Sequence, residues 1–119
     1  MRLLEYDITG GYIKTLDISR YWANGVFAIN DMIYLINYAS ETDNGQYHIF
    51  KIDNNGNLKD KYLEFDKKYR NTPHLKAYSE VNHVFSLCMS PVNEIYRIDS
   101  ISCQLAYRVN FVNKNLPEK

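Results

Sequence analysis

An all-β chain built from repeated four-stranded antiparallel units is the fold this sequence predicts. Three observations predict it. First, Asp7, Asp53 and Asp99 stand 46 residues apart (7 to 53, 53 to 99), each directly after an apolar run. Second, small or polar residues follow each of them, Thr9-Gly10-Gly11, Asn54-Asn55-Gly56 and Ser100-Ile101-Ser102, and a second apolar run follows those. Asn and Gly accept the positive φ that a short hairpin loop needs. Third, Tyr is abundant, with 11 residues beside 5 Phe, and aromatic side chains suit a half-buried pleated surface.

The outer hairpins come first in the argument because they repeat best. Their first strands are Leu3-Leu4-Glu5-Tyr6, His48-Ile49-Phe50-Lys51-Ile52 and Glu94-Ile95-Tyr96-Arg97-Ile98; their second strands run over 12–18, 58–65 and 104–111. Phe65 and Phe111 are again 46 apart, and the first copy reads as one residue shorter after its turn. An Asp closing a strand accepts backbone N–H bonds in an Asx-turn, so a structural role is expected for the recurring carboxylates rather than a shared ion site.

Two further strands lie between successive outer hairpins. In one unit Gly25 to Ile29 leads through Asn30-Asp31 into Met32-Ile33-Tyr34-Leu35-Ile36-Asn37-Tyr38. In the next, Leu75 to Val81 leads through Asn82 into His83 to Met89. Matching Ile33 to Val84 gives an offset of 51, restored to 46 by a loop five residues shorter in the later copy; loops absorb such changes cheaply. The run Met32 to Ile36 lacks polar alternates, which predicts a strand covered on both faces, and His83 to Met89 reads the same way. The only stretch with helical leanings, 65–76, is interrupted by Pro73. The domain plan is therefore an outer hairpin over 3–18, a full unit over 22–65, a second full unit over 74–112, and a flexible polar tail over 113–119.

Composition excludes several functions. Lys plus Arg and Asp plus Glu number 14 each, so no cationic excess marks a nucleic-acid groove. The densest basic cluster, Lys67-Lys68-Tyr69-Arg70, reads as a solvated loop. No apolar run is long enough to cross a membrane, and the first residues reach acids too soon for a secretory leader. Cys88 and Cys103 form no CxxC pair and read as small apolar side chains, leaving the redox compartment open. His48, His74 and His83 have no metal-ligand spacing, and Asp43-Asn44-Gly45 lacks the spaced acids of a calcium loop. No nucleophile elbow, phosphate loop or zinc-protease helix is present. No cofactor is expected, and the chain is expected not to be an enzyme.

Four strands per unit of this length suggest blades of a β-propeller. Tyr47 to Gly56 and Asn93 to Asp99 resemble the blades of a six-bladed β-propeller family related to NHL-repeat propellers and abundant as secreted lipoproteins of gut anaerobes. The resemblance spans about 3–111 and carries blade geometry, not a reaction. It implies a periplasmic or cell-surface lipoprotein for full-length relatives. This chain shows two and a half blades and no leader, so it is expected to be part of a propeller. An open propeller exposes apolar blade faces, which predicts self-association or a missing propeller segment.

The resemblance also implies a ligand face, formed by loops entering the innermost strand and loops after the second strand. Those loops carry Arg20, Tyr21 and Trp22; Tyr38 to Gln46; Lys68, Tyr69, Arg70 and His74; and Asn93 and Glu94. Aromatics beside Arg make good anchors for a protein or a glycan; alternatively, Tyr21 and Trp22 cover the end of a blade core. The leading expectation is a non-enzymatic binding or scaffold module. A lactonase- or lyase-like propeller enzyme with a metal in the central channel is the alternative, but the innermost strands offer it only Glu80. A truncated remnant without independent function is the third reading.

Overall fold

The computed structural model describes residues 1–37, 47–64, 76–89 and 94–109. Ten antiparallel strands run in order: β1 (Arg2–Tyr6), β2 (Tyr12–Asp17), β3 (Ala23–Ile29), β4 (Met32–Asn37), β5 (Tyr47–Ile52), β6 (Leu58–Glu64), β7 (Lys76–Val81), β8 (Val84–Met89), β9 (Glu94–Ile98) and β10 (Cys103–Arg108). A 3₁₀ turn, Ser19–Tyr21, links β2 to β3. The sheets are β1-β2, β3-β4-β5-β6 and β7-β8-β9-β10, each paired strictly between chain neighbours. The chain divides into two compact units, Met1–Pro73 and His74–Lys119.

The 46-residue period holds residue by residue between the first two outer hairpins. Leu3↔Leu16, Leu4↔Thr15, Glu5↔Lys14 and Tyr6↔Tyr12 become Ile49↔Tyr62, Phe50↔Lys61, Lys51↔Asp60 and Ile52↔Leu58. Both carry a bulge directly after the turn. The first copy is therefore not the short one. The third hairpin is: Ile98 pairs with Cys103, one residue earlier than the period requires, and its bulge lies between Leu105 and Tyr107.

The turns explain the difference. Asp7 N–H bonds Gly11 O at 2.8 Å and Asp53 N–H bonds Asn57 O at 2.9 Å, closing five-residue loops. Each holds Gly at the same place with positive φ, Gly10 at 92° and Gly56 at 87°. Asp99 N–H instead bonds Ser102 O at 3.0 Å, a tighter loop in which no residue has positive φ, so Ser and Ile serve. In all three, the Asp Oδ1 accepts the N–H two residues on: Thr9 at 2.9 Å, Asn55 at 2.8 Å and Ile101 at 2.8 Å. A second N–H, of Gly11, Asn57 or Ser102, converges on the same oxygen. These are the Asx-turns expected from the recurring Asp.

The inner hairpins turn in two residues. Ile29 pairs with Met32 and Val81 with Val84. Asn82 and His83 both take positive φ, 52° and 63°, which matches the strand twist of a tight hairpin; His83 thus sits in the turn, not in the strand. Ile33↔Ile52 corresponds to Phe85↔Ile98, so β4 and β8 are offset by 52 rather than 51, and the later connection is shorter by six residues rather than five. A single Asn before His83 had hidden the second turn residue.

In β4, Tyr34, Leu35, Ile36 and Asn37 are all buried, as a strand covered on both faces must be. Among the described side chains of β8, Phe85 and Leu87 are buried, Val84 and Ser86 are half-buried and Cys88 is exposed, so the expected two-sided burial is not observed over 84–88. Cys88 and Cys103 are free thiols. The first unit holds a core of Ile18, Tyr21, Ala23, Leu35, Phe50 and Ile52, with Leu3, Leu16, Ile33, Tyr47 and Leu58 against it. Its contributors come from both the β1-β2 hairpin and the sheet that follows.

Candidate functional site

The register pair Ala23↔Asn37 brings the chain leading into β3 and the chain leaving β4 to one end of the sheet. At this end the segment Asp17–Trp22 folds over the blade. Asp17 Oδ1 accepts Ser19 N–H at 3.0 Å and Ser19 Oγ–H at 2.6 Å. The Ser19 hydroxyl, followed by the Ser19 amide, holds the Asp17 carboxyl below its ordinary range. Ile18 is buried beneath, and Tyr21 N–H closes back on Ile18 O at 3.0 Å.

Tyr21 and Trp22 part ways at this point. Tyr21 is fully buried, its ring 5.4 Å from that of Phe50. Its hydroxyl donates to Gly56 O at 3.1 Å and accepts from Arg20 Nη2 at 2.8 Å. Arg20 Nη2 also reaches Gly56 O at 3.0 Å, and its guanidinium carbon lies 4.9 Å from the Tyr21 ring centroid. Asn37 Nδ2–H donates to Tyr21 O at 2.9 Å, and His48 Nδ1 lies 3.3 Å from Asn37 O. These two buried polar residues fasten the end of the sheet under the turn.

Trp22 follows with φ 52°, in the left-handed region, where its amide bonds Ser19 O at 3.3 Å. An L-residue enters that region at a cost, so the surrounding contacts impose the conformation. The outcome is an indole that is 60% exposed beside a tethered Arg20. With Asp17 and Ser19 they line an open hollow of about 520 Å³. Its chemistry is an aromatic face, a guanidinium, a carboxylate and a hydroxyl bonded to that carboxylate.

Of the residues expected at the ligand face, the structure thus brings Arg20 and Trp22 together at the surface and places Tyr21 behind them in the core. Tyr38, Tyr69, Arg70 and His74 lie outside the described residues, as do Lys68, Asn93 and Asp43-Asn44-Gly45. Glu94 opens β9, where its carboxylate accepts Arg108 Nη2 at 3.0 Å and the Tyr96 hydroxyl at 3.0 Å. Burial, then Glu94, pushes the Tyr96 hydroxyl up to about 12. Sequence reasoning passed over Asp17, Ser19 and Asn37. The spacing Asp17-x-Ser19, which repeats the Asx pattern of the hairpin turns, was the available signal for the first two.

The innermost strand β3 begins at Ala23, earlier than the expected Gly25, and so adds an exposed Asn24 to the Glu80 of β7. Among the described residues no three His, Cys, Asp or Glu side chains gather as a metal-binding group. A second hollow, apolar and about 400 Å³, lies within the first unit between β1-β2 and the β3-β4 hairpin, away from Trp22.

No curated protein and no solved structure matches the chain. A family model described as a 6-bladed beta-propeller matches residues 1–119. With two four-stranded antiparallel sheets and an outer hairpin that recurs along it, the chain belongs to this six-bladed β-propeller family.

Proposed function

We propose that the chain is a non-enzymatic binding or scaffold module of a six-bladed propeller, and that it engages a protein or a glycan through the end of the blade bearing Arg20 and Trp22. The presentation of Trp22 carries this reading. A large aromatic ring with few rotors, held in one backbone conformation by a buried neighbour, offers contact area at little entropic cost. Arg20 beside it is pre-oriented by Tyr21 and Gly56 O. An exposed indole next to polar groups suits the apolar face of a sugar ring or a peptide side chain. The lactonase- or lyase-like alternative asks for several acids with Asn or His on the innermost strands; the described residues supply Asn24 and Glu80 there.

Trp22 is the only Trp, so its emission reports directly on this surface. The full chain is screened on a glycan array and a peptide library, and hits are titrated by Trp22 fluorescence. Saturable quenching or enhancement is expected, with affinity lost in Trp22→Ala and weakened at least about tenfold in Arg20→Ala. Ligand binding that survives Trp22→Ala unchanged, or tightly held stoichiometric metal with hydrolytic turnover, would overturn the reading.

A further inference from the structure

Resting on the reading of Trp22 and Arg20 as a binding surface, we infer that the hollow beside them takes a glycan and recognises one sugar ring by two adjacent free hydroxyls. Asp17 accepts the proton of one hydroxyl, Arg20 donates to the next, and the ring lays a C–H face on Trp22.

The polar groups of the hollow divide into those spent on the fold and those left over. Ser19 is spent, because its N–H and its hydroxyl both donate to Asp17 Oδ1, at 3.0 Å and 2.6 Å. Asp17 Oδ2 has no hydrogen-bond partner among the described residues. The same Ser19 bonds keep this carboxyl ionised at neutral pH, and an ionised carboxylate only accepts. Arg20 is spent at one nitrogen: Nη2 donates to the Tyr21 hydroxyl at 2.8 Å and to Gly56 O at 3.0 Å. Nη1 and Nε have no partner among the described residues, and a guanidinium only donates.

A hydroxyl answers both leftovers, since it donates to a carboxylate and accepts from a guanidinium, and each such bond is strengthened by the charge. Neighbouring hydroxyls on one ring carry both roles in a single sugar. A carboxylate or phosphate would suit Arg20 and meet the Asp17 charge; an ammonium would suit Asp17 and meet Arg20. A peptide anchor asks for an apolar socket that encloses a side chain. This hollow is lined by Asp17, Ser19, Arg20 and Trp22, and the apolar neighbours Ile18 and Tyr21 are buried in the core. It offers instead a flat, exposed indole, whose electron-rich face attracts the polarised C–H groups of a sugar. The left-handed backbone at Trp22 and its amide bond to Ser19 O set that face before anything binds, which lowers the cost of binding. At about 520 Å³ the hollow has the size of an ordinary small-ligand site, roughly 300–1,000 Å³.

The test titrates the full chain, by Trp22 emission, with uncharged hexasaccharides of glucose, mannose and galactose and with the O-methylated form of each. At least one free sugar should bind saturably. Its methylated form keeps the ring faces, loses every hydroxyl proton and should bind at least about tenfold more weakly. Asp17→Asn keeps an Oδ1 for the Ser19 donors. It should weaken the free sugar at least about fivefold and leave the methylated one unchanged, a coupling that stacking alone would not produce. If Asp17→Asn loses both sugars because the turn unfolds, the ratio of free to methylated binding on the parent chain decides. Equal binding of free and methylated sugars, or a folded Asp17→Asn that binds the free sugar as the parent does, refutes the inference. A surface that answers only to peptides refutes it too and leaves the Trp22 reading standing. Silence of Trp22 towards every sugar and every peptide overturns both.

Discussion

Phe50 and Leu4 occupy the same position of the repeat, and the structure predicts that truncating them has very different costs. Phe50 is fully buried, against Tyr21 at 5.4 Å and Tyr47 at 6.5 Å between ring centroids. Phe50→Ala removes a whole aromatic side chain and leaves a cavity, at a cost of about 3–5 kcal/mol. That is a large part of the total stability of an ordinary domain, roughly 5–15 kcal/mol. Leu4 is 49% exposed, so Leu4→Ala forfeits about half of a leucine's burial, on the order of 1 kcal/mol. Both residues belong to the first unit, which also contains the single Trp, so urea unfolding followed by Trp22 emission measures both variants with one probe. The difference should be at least about 2 kcal/mol, with an unchanged dependence on urea. If Leu4→Ala costs as much as Phe50→Ala, the two equivalent positions are not differently covered and the reasoning fails.

Other outcomes follow from single features. At position 22, φ is 52°, so Trp22→Gly should be more stable than Trp22→Ala by about 1 kcal/mol in the same urea assay, the reverse of the ordinary order; parity would deny the left-handed backbone. The carboxyls of Asp7, Asp53 and Asp99 are held below their ordinary range, chiefly by the Thr9 hydroxyl, the Asn57 amide and the Ile101 amide respectively. A lowered folded value means that the stabilisation is complete above the unfolded carboxylate value, roughly 4, and is lost as pH falls through the lower folded values. Melting temperature should therefore hold from pH 7 to 5 and drop below about 4, and the gap between the parent and Asp53→Ala should close as pH falls; a constant gap would deny the Asx role. Cys88 is exposed, whereas burial pushes the half-buried Cys103 thiol up to about 11, so at pH 8 a disulfide reagent should titrate one fast and one slow thiol, with Cys88→Ser removing the fast phase.

The outer hairpins were legible because turn chemistry is local. An Asp that ends a strand and collects two amides leaves a visible trace, and Gly10 and Gly56 mark the two loops that need positive φ. The alternative that Tyr21 and Trp22 cover the end of the blade core was also open from the sequence; it holds for Tyr21 and fails for Trp22, which is exposed. Register within the third unit was not legible. Ser100-Ile101-Ser102 closes a loop one residue shorter, and a bulge sits elsewhere in β10; neither has a composition of its own. His83 in a left-handed turn position carries no mark, which is why the inner offset read one too small. The partition of Tyr21 inward and Trp22 outward depends on one backbone dihedral and on amides offered by Ser19, and two adjacent aromatics say nothing of it in advance.

The core of the first unit joins a hairpin to the sheet that comes after it: Leu3 and Leu16 press on the cluster of Tyr21, Leu35 and Phe50. What the chain reiterates and what it packs are thus staggered by half a module. A protein engineer who trims this gene at the boundary of the sequence repeat, near Ser19, would saw through an interior that Leu3 and Leu16 complete. Blade shuffling, fusions and split reporters built on this scaffold should keep the β1-β2 hairpin together with the sheet that follows it.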